Sequence, residues 1–166
     1  MRQCGSVSGV LEIERVSWRT PRYTVRDDDG LSGVWMRRRF AETMTGEIDG
    51  EAYELRRDGR RRFTLIGGGT ELARAEAARR GQWTIRVDGS VYELRKRSSF
   101  RSVMDLHSGA TTLGSIRKGR GSRGRVLCEL PAELSPAVQA FIGFVVLLLW
   151  DRAAASAGAA AVVATG

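Results

Sequence analysis

Phe141-Ile142-Gly143-Phe144-Val145-Val146-Leu147-Leu148-Leu149-Trp150 is apolar on every face, so as a helix it must be buried either in protein or in lipid. Length favours protein. A bilayer span takes about 20 apolar residues, whereas runs of about 10–14 are more often core helices. The run is closed by Asp151-Arg152, and either charge at a bilayer centre costs roughly 2.5–3.5 kcal/mol. Upstream, Ser135-Pro136 is a helix start, because Ser caps free N–H groups and Pro fits the first turn. The spacing predicts a helix over 136–150, roughly 22 Å long, which is the reach of a strand of about six or seven residues. The alternative is a tail-anchored membrane protein.

What precedes this helix is strand-like and repeats itself. Ile48-Asp49-Gly50-Glu51-Ala52-Tyr53-Glu54-Leu55-Arg56-Arg57 returns as Val87-Asp88-Gly89-Ser90-Val91-Tyr92-Glu93-Leu94-Arg95-Lys96. Asp-Gly between alternating segments marks a hairpin, since its tight turn needs positive φ. Trp83, Ile85 and Val87 share one face, with Thr84 and Arg86 on the other; this period of two means strands buried on one side. Each copy continues with a second strand pair, through Gly67-Gly68-Gly69 in the first and His107-Ser108-Gly109 in the second. With the segments before and after them, the pattern predicts an all-β barrel of about twelve antiparallel strands. Eight strands already enclose a filled interior, so a twelve-stranded bore needs an occupant. The helix over 136–150 is the candidate. The domain is expected to span 1–152, followed by a flexible Ala-rich tail over 153–166.

The repeated Asp-Gly-x-x-Tyr-Glu-Leu at 49–55 and 88–94, with the ending Leu130-Pro131, Gln139-Ala140-Phe141-Ile142 and Leu147-Leu148-Leu149-Trp150, resembles the tubby-like C-terminal fold. It is more closely similar to the LURP-one-related proteins and phospholipid scramblases that share that fold. The resemblance covers about residues 7 to 152. It implies a twelve-stranded barrel around a hydrophobic C-terminal helix. It also implies a non-enzymatic role at membranes, since tubby proteins bind phosphoinositides through basic surface residues.

Composition narrows the function classes. The net charge is +8, and its basic residues are Arg except for Lys96 and Lys118. Cys4 and Cys128 are too few for a disulfide framework. No apolar stretch precedes Glu12 and Glu14, so the start does not read as a secretory signal. These features point to the cytosol, and the resemblance adds a peripheral place at the inner face of the membrane. His107, the sole histidine, sits at a turn edge and has no partners for catalysis or a zinc site. Gly119-x-Gly121-x-x-Gly124 matches a dinucleotide fingerprint in letters alone, because a strand follows it. Gly67-Gly68-Gly69 lacks the Lys-Ser/Thr of a phosphate loop. No catalytic residue, metal or cofactor is expected.

The positive signal is the placement of charge. In an up-and-down barrel alternate turns share an end. The turns after strands three, five, seven, nine and eleven hold Arg37-Arg38-Arg39, residues 56–62, Arg79-Arg80, residues 95–101 and residues 117–125; the intervening ones hold Asp27-Asp28-Asp29, Asp49-Gly50 and Asp88-Gly89. Codon bias accounts for a general preference for Arg but is blind to strand parity. The candidate anion-binding residues are Arg57, Arg60, Arg61, Arg62, Arg95, Lys96, Arg97, Arg101, Arg117, Lys118, Arg120, Arg123 and Arg125. The expected partner is an anionic membrane surface, with phosphates of nucleic acid as the alternative.

Overall fold

Twelve strands and one helix make up the fold in the computed structural model, which describes residues 9–17, 19, 21–38, 43–79, 81–98, 102–121 and 124–163, with side chains as far as 158. The strands are β1 (Leu11–Arg15), β2 (Arg22–Asp27), β3 (Gly30–Arg37), β4 (Thr43–Ile48), β5 (Glu51–Asp58) and β6 (Arg62–Gly67). They continue as β7 (Thr70–Arg79), β8 (Gln82–Val87), β9 (Ser90–Lys96), β10 (Val103–Ser108), β11 (Thr111–Lys118) and β12 (Arg125–Glu129), before α1 (Pro136–Val163). Each strand pairs antiparallel with its sequence neighbour, and β1 pairs with β12 to close the barrel. Asp49 and Gly50, like Asp88 and Gly89, all have positive φ, the type I′ geometry that matches strand twist.

The bore is filled by α1. From Ala137 to Leu148 every helix residue is buried, and Gly143 lies against the wall. A Cβ there would sit 2.6 Å from Ile13 Cδ1 and 2.7 Å from Cys128 Sγ, so β1 and β12 approach the helix more closely than any side chain allows. Opposite, the Phe144 ring meets Tyr23 edge-on at 5.6 Å and Trp35 at 5.1 Å. At the helix start, buried Gln139 donates through Nε2 to the carbonyls of Leu134, at 2.8 Å, and Pro131, at 3.3 Å. Pro136–Gly158 has the length and hydropathy of a bilayer span, but the barrel encloses its first half.

The helix is longer than the sequence pattern indicates. It runs on from Trp150 to Val163, so the stretch from 153 to 163 is helical rather than a frayed tail. The physical reason is propensity. Ala is the strongest helix former, and an enclosed helix has already passed the costly nucleation step. Residues 153–158 are exposed, beyond the barrel mouth.

The sequence repeat is twofold, but the barrel is built from three similar units. Hairpins β2–β3, β6–β7 and β10–β11 each carry a register shift immediately after an inward pair, Val25 with Gly33, Leu65 with Ala73 and Leu106 with Gly114. The next inward row pairs Trp35 with Gly46, Ala75 with Ile85 and Ile116 with Cys128. Large faces small in the first two pairs, with the order reversed between them. A Cβ on Gly46 would collide with the Trp35 indole, whereas Ile85 has room because its partner is Ala75. The third unit lacks an Asp-Gly turn because its two strands, β12 and β1, are not consecutive in the chain. The segment leading into α1 occupies that place.

Cys128 faces the helix fully buried, and burial pushes its thiol up to about 12. In a Cys4→Ser background, thiol reagents are expected to label Cys128 only as fast as the barrel opens. The folded thiol stays protonated where an unfolded one ionises. Its contribution to stability is therefore complete below about pH 9 and is lost as pH rises towards 12, at about 1.4 kcal/mol per pH unit. Urea midpoints of Cys128→Ala and the parent between pH 8 and 11 check this. Equal slopes would refute it.

Candidate anion-binding end of the barrel

Because neighbours are antiparallel all round, the connections after odd-numbered strands meet at one end, where α1 also emerges. Its start lies at the other end, where Pro136 and Gln139 share a small cleft with Asp27, Asp28 and Asp29, a placement that complements the helix dipole. The 56–62 and 95–98 turns therefore share an end, with Arg117, Lys118 and Arg120 beside them. Opposite stand Asp49, Asp88 and the 27–29 turn. Arg101 and Arg123 lie outside the described residues, as do Arg39 and Arg80.

Sharing an end does not make these residues equivalent. Arg62 binds Glu76 at 3.0 Å, Arg117 binds Glu129 at 2.8 Å and Arg125 binds Glu12 at 2.6 Å. Arg95 donates to Glu93 at 2.8 Å from Nε. Arg97 grips Asp105 through two bonds, 2.9 Å from Nε and 2.6 Å from Nη2. Hydrogen bonding to these carboxylates raises the pKa of Arg97 and of Arg125 above the usual guanidinium range. Each pair is partly solvated and worth little singly, yet it turns the cation along the outer wall. Arg57 donates through Nε to the Gly59 carbonyl at 2.8 Å, and Arg61 reaches the Ala77 carbonyl at 3.4 Å. Lys118 covers the Trp150 ring, 5.3 Å from its centroid. Arg60, Lys96 and Arg120 are exposed and carry no ion pair among the described residues.

Sequence reasoning missed the centre of this end. Where α1 leaves the bore, Asp151 lies among Arg37, Arg15 and Lys118. Burial raises its carboxyl above the ordinary value, and the three cations pull it back down. Tyr23 faces the same mouth, accepts a hydrogen bond from Arg37, and is likewise raised chiefly by burial. Arg152 donates to the Arg60 carbonyl at 3.0 Å and lies 5.6 Å over the Phe63 ring. Two clefts flank the helix and share Asp151. One, about 290 Å³, lies against Arg37, Met44, Leu55 and Arg57. The other, about 630 Å³, lies against Lys118, Gly119, Arg125 and Trp150. In sequence, Asp151-Arg152 signals only the end of an apolar run. Its position among Arg37, Arg15 and Lys118 follows from the helix entering at the opposite end.

No protein-family model matches this chain, and no curated protein matches it.

Proposed function

We propose that this chain is a non-enzymatic binding module, of the tubby and LURP-one-like type it resembles in sequence, whose basic end docks on anionic phospholipid headgroups at the inner face of a membrane. The observation that carries this reading is the polarity of the barrel. Its odd-numbered connections gather arginine and lysine at one mouth, and its even-numbered ones gather aspartate at the other. A flat anionic surface engages several such loops together, each basic residue near it contributing about 1 kcal/mol. Arg60, Lys96 and Arg120 are the residues proposed to meet headgroups. Arg62, Arg95, Arg97, Arg117 and Arg125 hold the wall on which those loops stand.

Co-sedimentation with phosphatidylserine-containing and neutral vesicles, beside gel shifts with duplex and single-stranded nucleic acid, tests the proposal. Binding to the anionic vesicles alone is expected, weakening as salt rises. Neutralising Arg60, Lys96 and Arg120 together removes about 3 kcal/mol, on the order of a hundredfold in affinity. Arg97→Gln leaves vesicle binding unchanged, and so does Asp28→Asn at the far end. Equal sedimentation with neutral vesicles defeats the proposal. Nucleic-acid affinity exceeding that for anionic vesicles transfers the basic end to a phosphate backbone.

A further inference from the structure

α1 does not stop at the barrel mouth, and the part outside is unlike an ordinary solvated helix. From Ala153 to Val163 it carries no charged residue, and residues 153–158 are exposed. A helix that is apolar all round belongs inside protein or lipid. Its last turn also lacks the basic residue that complements the carbonyl end of a helix in water. The one hydroxyl over 153–163, that of Ser156, already donates to the Arg152 carbonyl at 3.0 Å. With the backbone N–H groups bonded inside the helix as well, no donor of this stretch needs water.

Direction and length select what covers it. The helix leaves through the end that presents Arg60, Lys96 and Arg120, so whatever meets that rim also meets the helix. A soluble polyanion answers the rim and leaves the helix wet. An anionic leaflet answers both, with headgroups against the rim and acyl chains against the helix. The stretch 153–163 rises about 16 Å at 1.5 Å per residue, close to half of a hydrocarbon core of about 30 Å. That is one leaflet. Asp151 and Arg152 set the depth, and Arg152 is tied to the rim through the Arg60 carbonyl at 3.0 Å. Beside them half-buried Trp150 lies under Lys118, 5.3 Å from its ring centroid, at the level where Trp and basic residues mark a membrane interface.

We infer that the outer part of α1 is a one-leaflet anchor, which crosses the headgroup layer and stands among the acyl chains of the membrane on which the basic end docks. The inference rests on the headgroup reading of that end, and adds to it a hydrophobic component and a fixed orientation. Because the barrel encloses 137–148, the helix reaches the hydrocarbon without spanning it, and the barrel stays on the surface. Alanine gains little in lipid, so the helix alone holds weakly. Helix and basic rim together supply the two signals that lasting attachment to a bilayer takes.

An environment-sensitive dye on Ala157→Cys, in the full chain with Cys4→Ser, tests the anchor; Cys128 is buried and escapes the label. With phosphatidylserine vesicles the emission is expected to shift to the blue. Nitroxides on the acyl chains should quench it more than nitroxides on the headgroups, and a dye on Asp28→Cys at the far end should respond to neither. Ala157→Leu leaves the charge alone and is expected to bind these vesicles at least twofold more tightly than the parent. Ala157→Asp is expected to bind at least fivefold more weakly. Position 157 lies outside the barrel, so both variants keep the fold. Salt-sensitive sedimentation with a dye quenched only at headgroup level, or Ala157→Leu binding like the parent, overturns the anchor and leaves the headgroup reading intact. Equal acyl-chain quenching in neutral vesicles supports the anchor and removes the basic rim from the proposed function. Absence of any vesicle binding removes both.

Discussion

Trp35→Ala and Gly46→Ile are each expected to destabilise the barrel severely, and together to do so far less than the sum. Trp35 is fully buried, with Phe144 at 5.1 Å and Tyr53 stacked at 6.5 Å, so truncation leaves a cavity costing about 3–5 kcal/mol. Ile at 46 collides with the indole, and overpacking there costs about 1–3 kcal/mol or more. The double variant installs the pair that β7 and β8 already use, Ala75 opposite Ile85. A coupling of about 2 kcal/mol is expected from urea unfolding of the four proteins. Additive losses would mean that the two rows are not interchangeable and that the three-unit description has no energetic content.

Gly143→Leu is expected to have the other large effect. Even a bare Cβ at 143 falls within 2.7 Å of Ile13 and Cys128, and the enclosed helix has no free side towards which a leucine turns. A loss above about 3 kcal/mol follows, on the order of 10 °C in Tm for a chain of this size. Gly143→Ala is a finer probe. It gains about 1 kcal/mol of helix propensity while displacing the two wall side chains. Ile13→Val removes the Cδ1 methyl, so Gly143→Ala should be better tolerated in that background. Thermal melts of the singles and the double decide this, and an unchanged Tm for Gly143→Leu would place the helix away from β1 and β12.

Much of this architecture is legible in the chain. The Asp-Gly turns, the alternation around Trp83, Ile85 and Val87, and an apolar run that needs enclosure lead to twelve strands around one helix. Strand parity then sorts the charged loops by end. Four things escape. The third unit is invisible because β12 and β1 meet only in space, so no turn marks them. The helix outlasts its apolar run, since Ala153 to Ala155 carry helix propensity without hydrophobic pattern. The division of arginines between wall and rim depends on cross-strand neighbours: Arg125 finds Glu12 from the far end of the chain, and no local signal separates it from Arg120. The cleft beside Asp151 is hidden for the same reason, being assembled from β3, β4, β5 and the helix.

Closure by β1 on β12 has a consequence in time. The first strand waits for the last before either is fully paired, and the cylinder has no stable empty form because its lining awaits a helix that follows every strand. An N-terminal portion emerging from the ribosome at about 5–20 residues per second therefore carries unsatisfied edges and an unfilled apolar face until α1 arrives. Pairings this distant in sequence make folding slow, in the range of milliseconds to seconds. Much of the vulnerability of this fold thus falls during synthesis, in the interval when the strands exist and the helix that fills them has yet to follow.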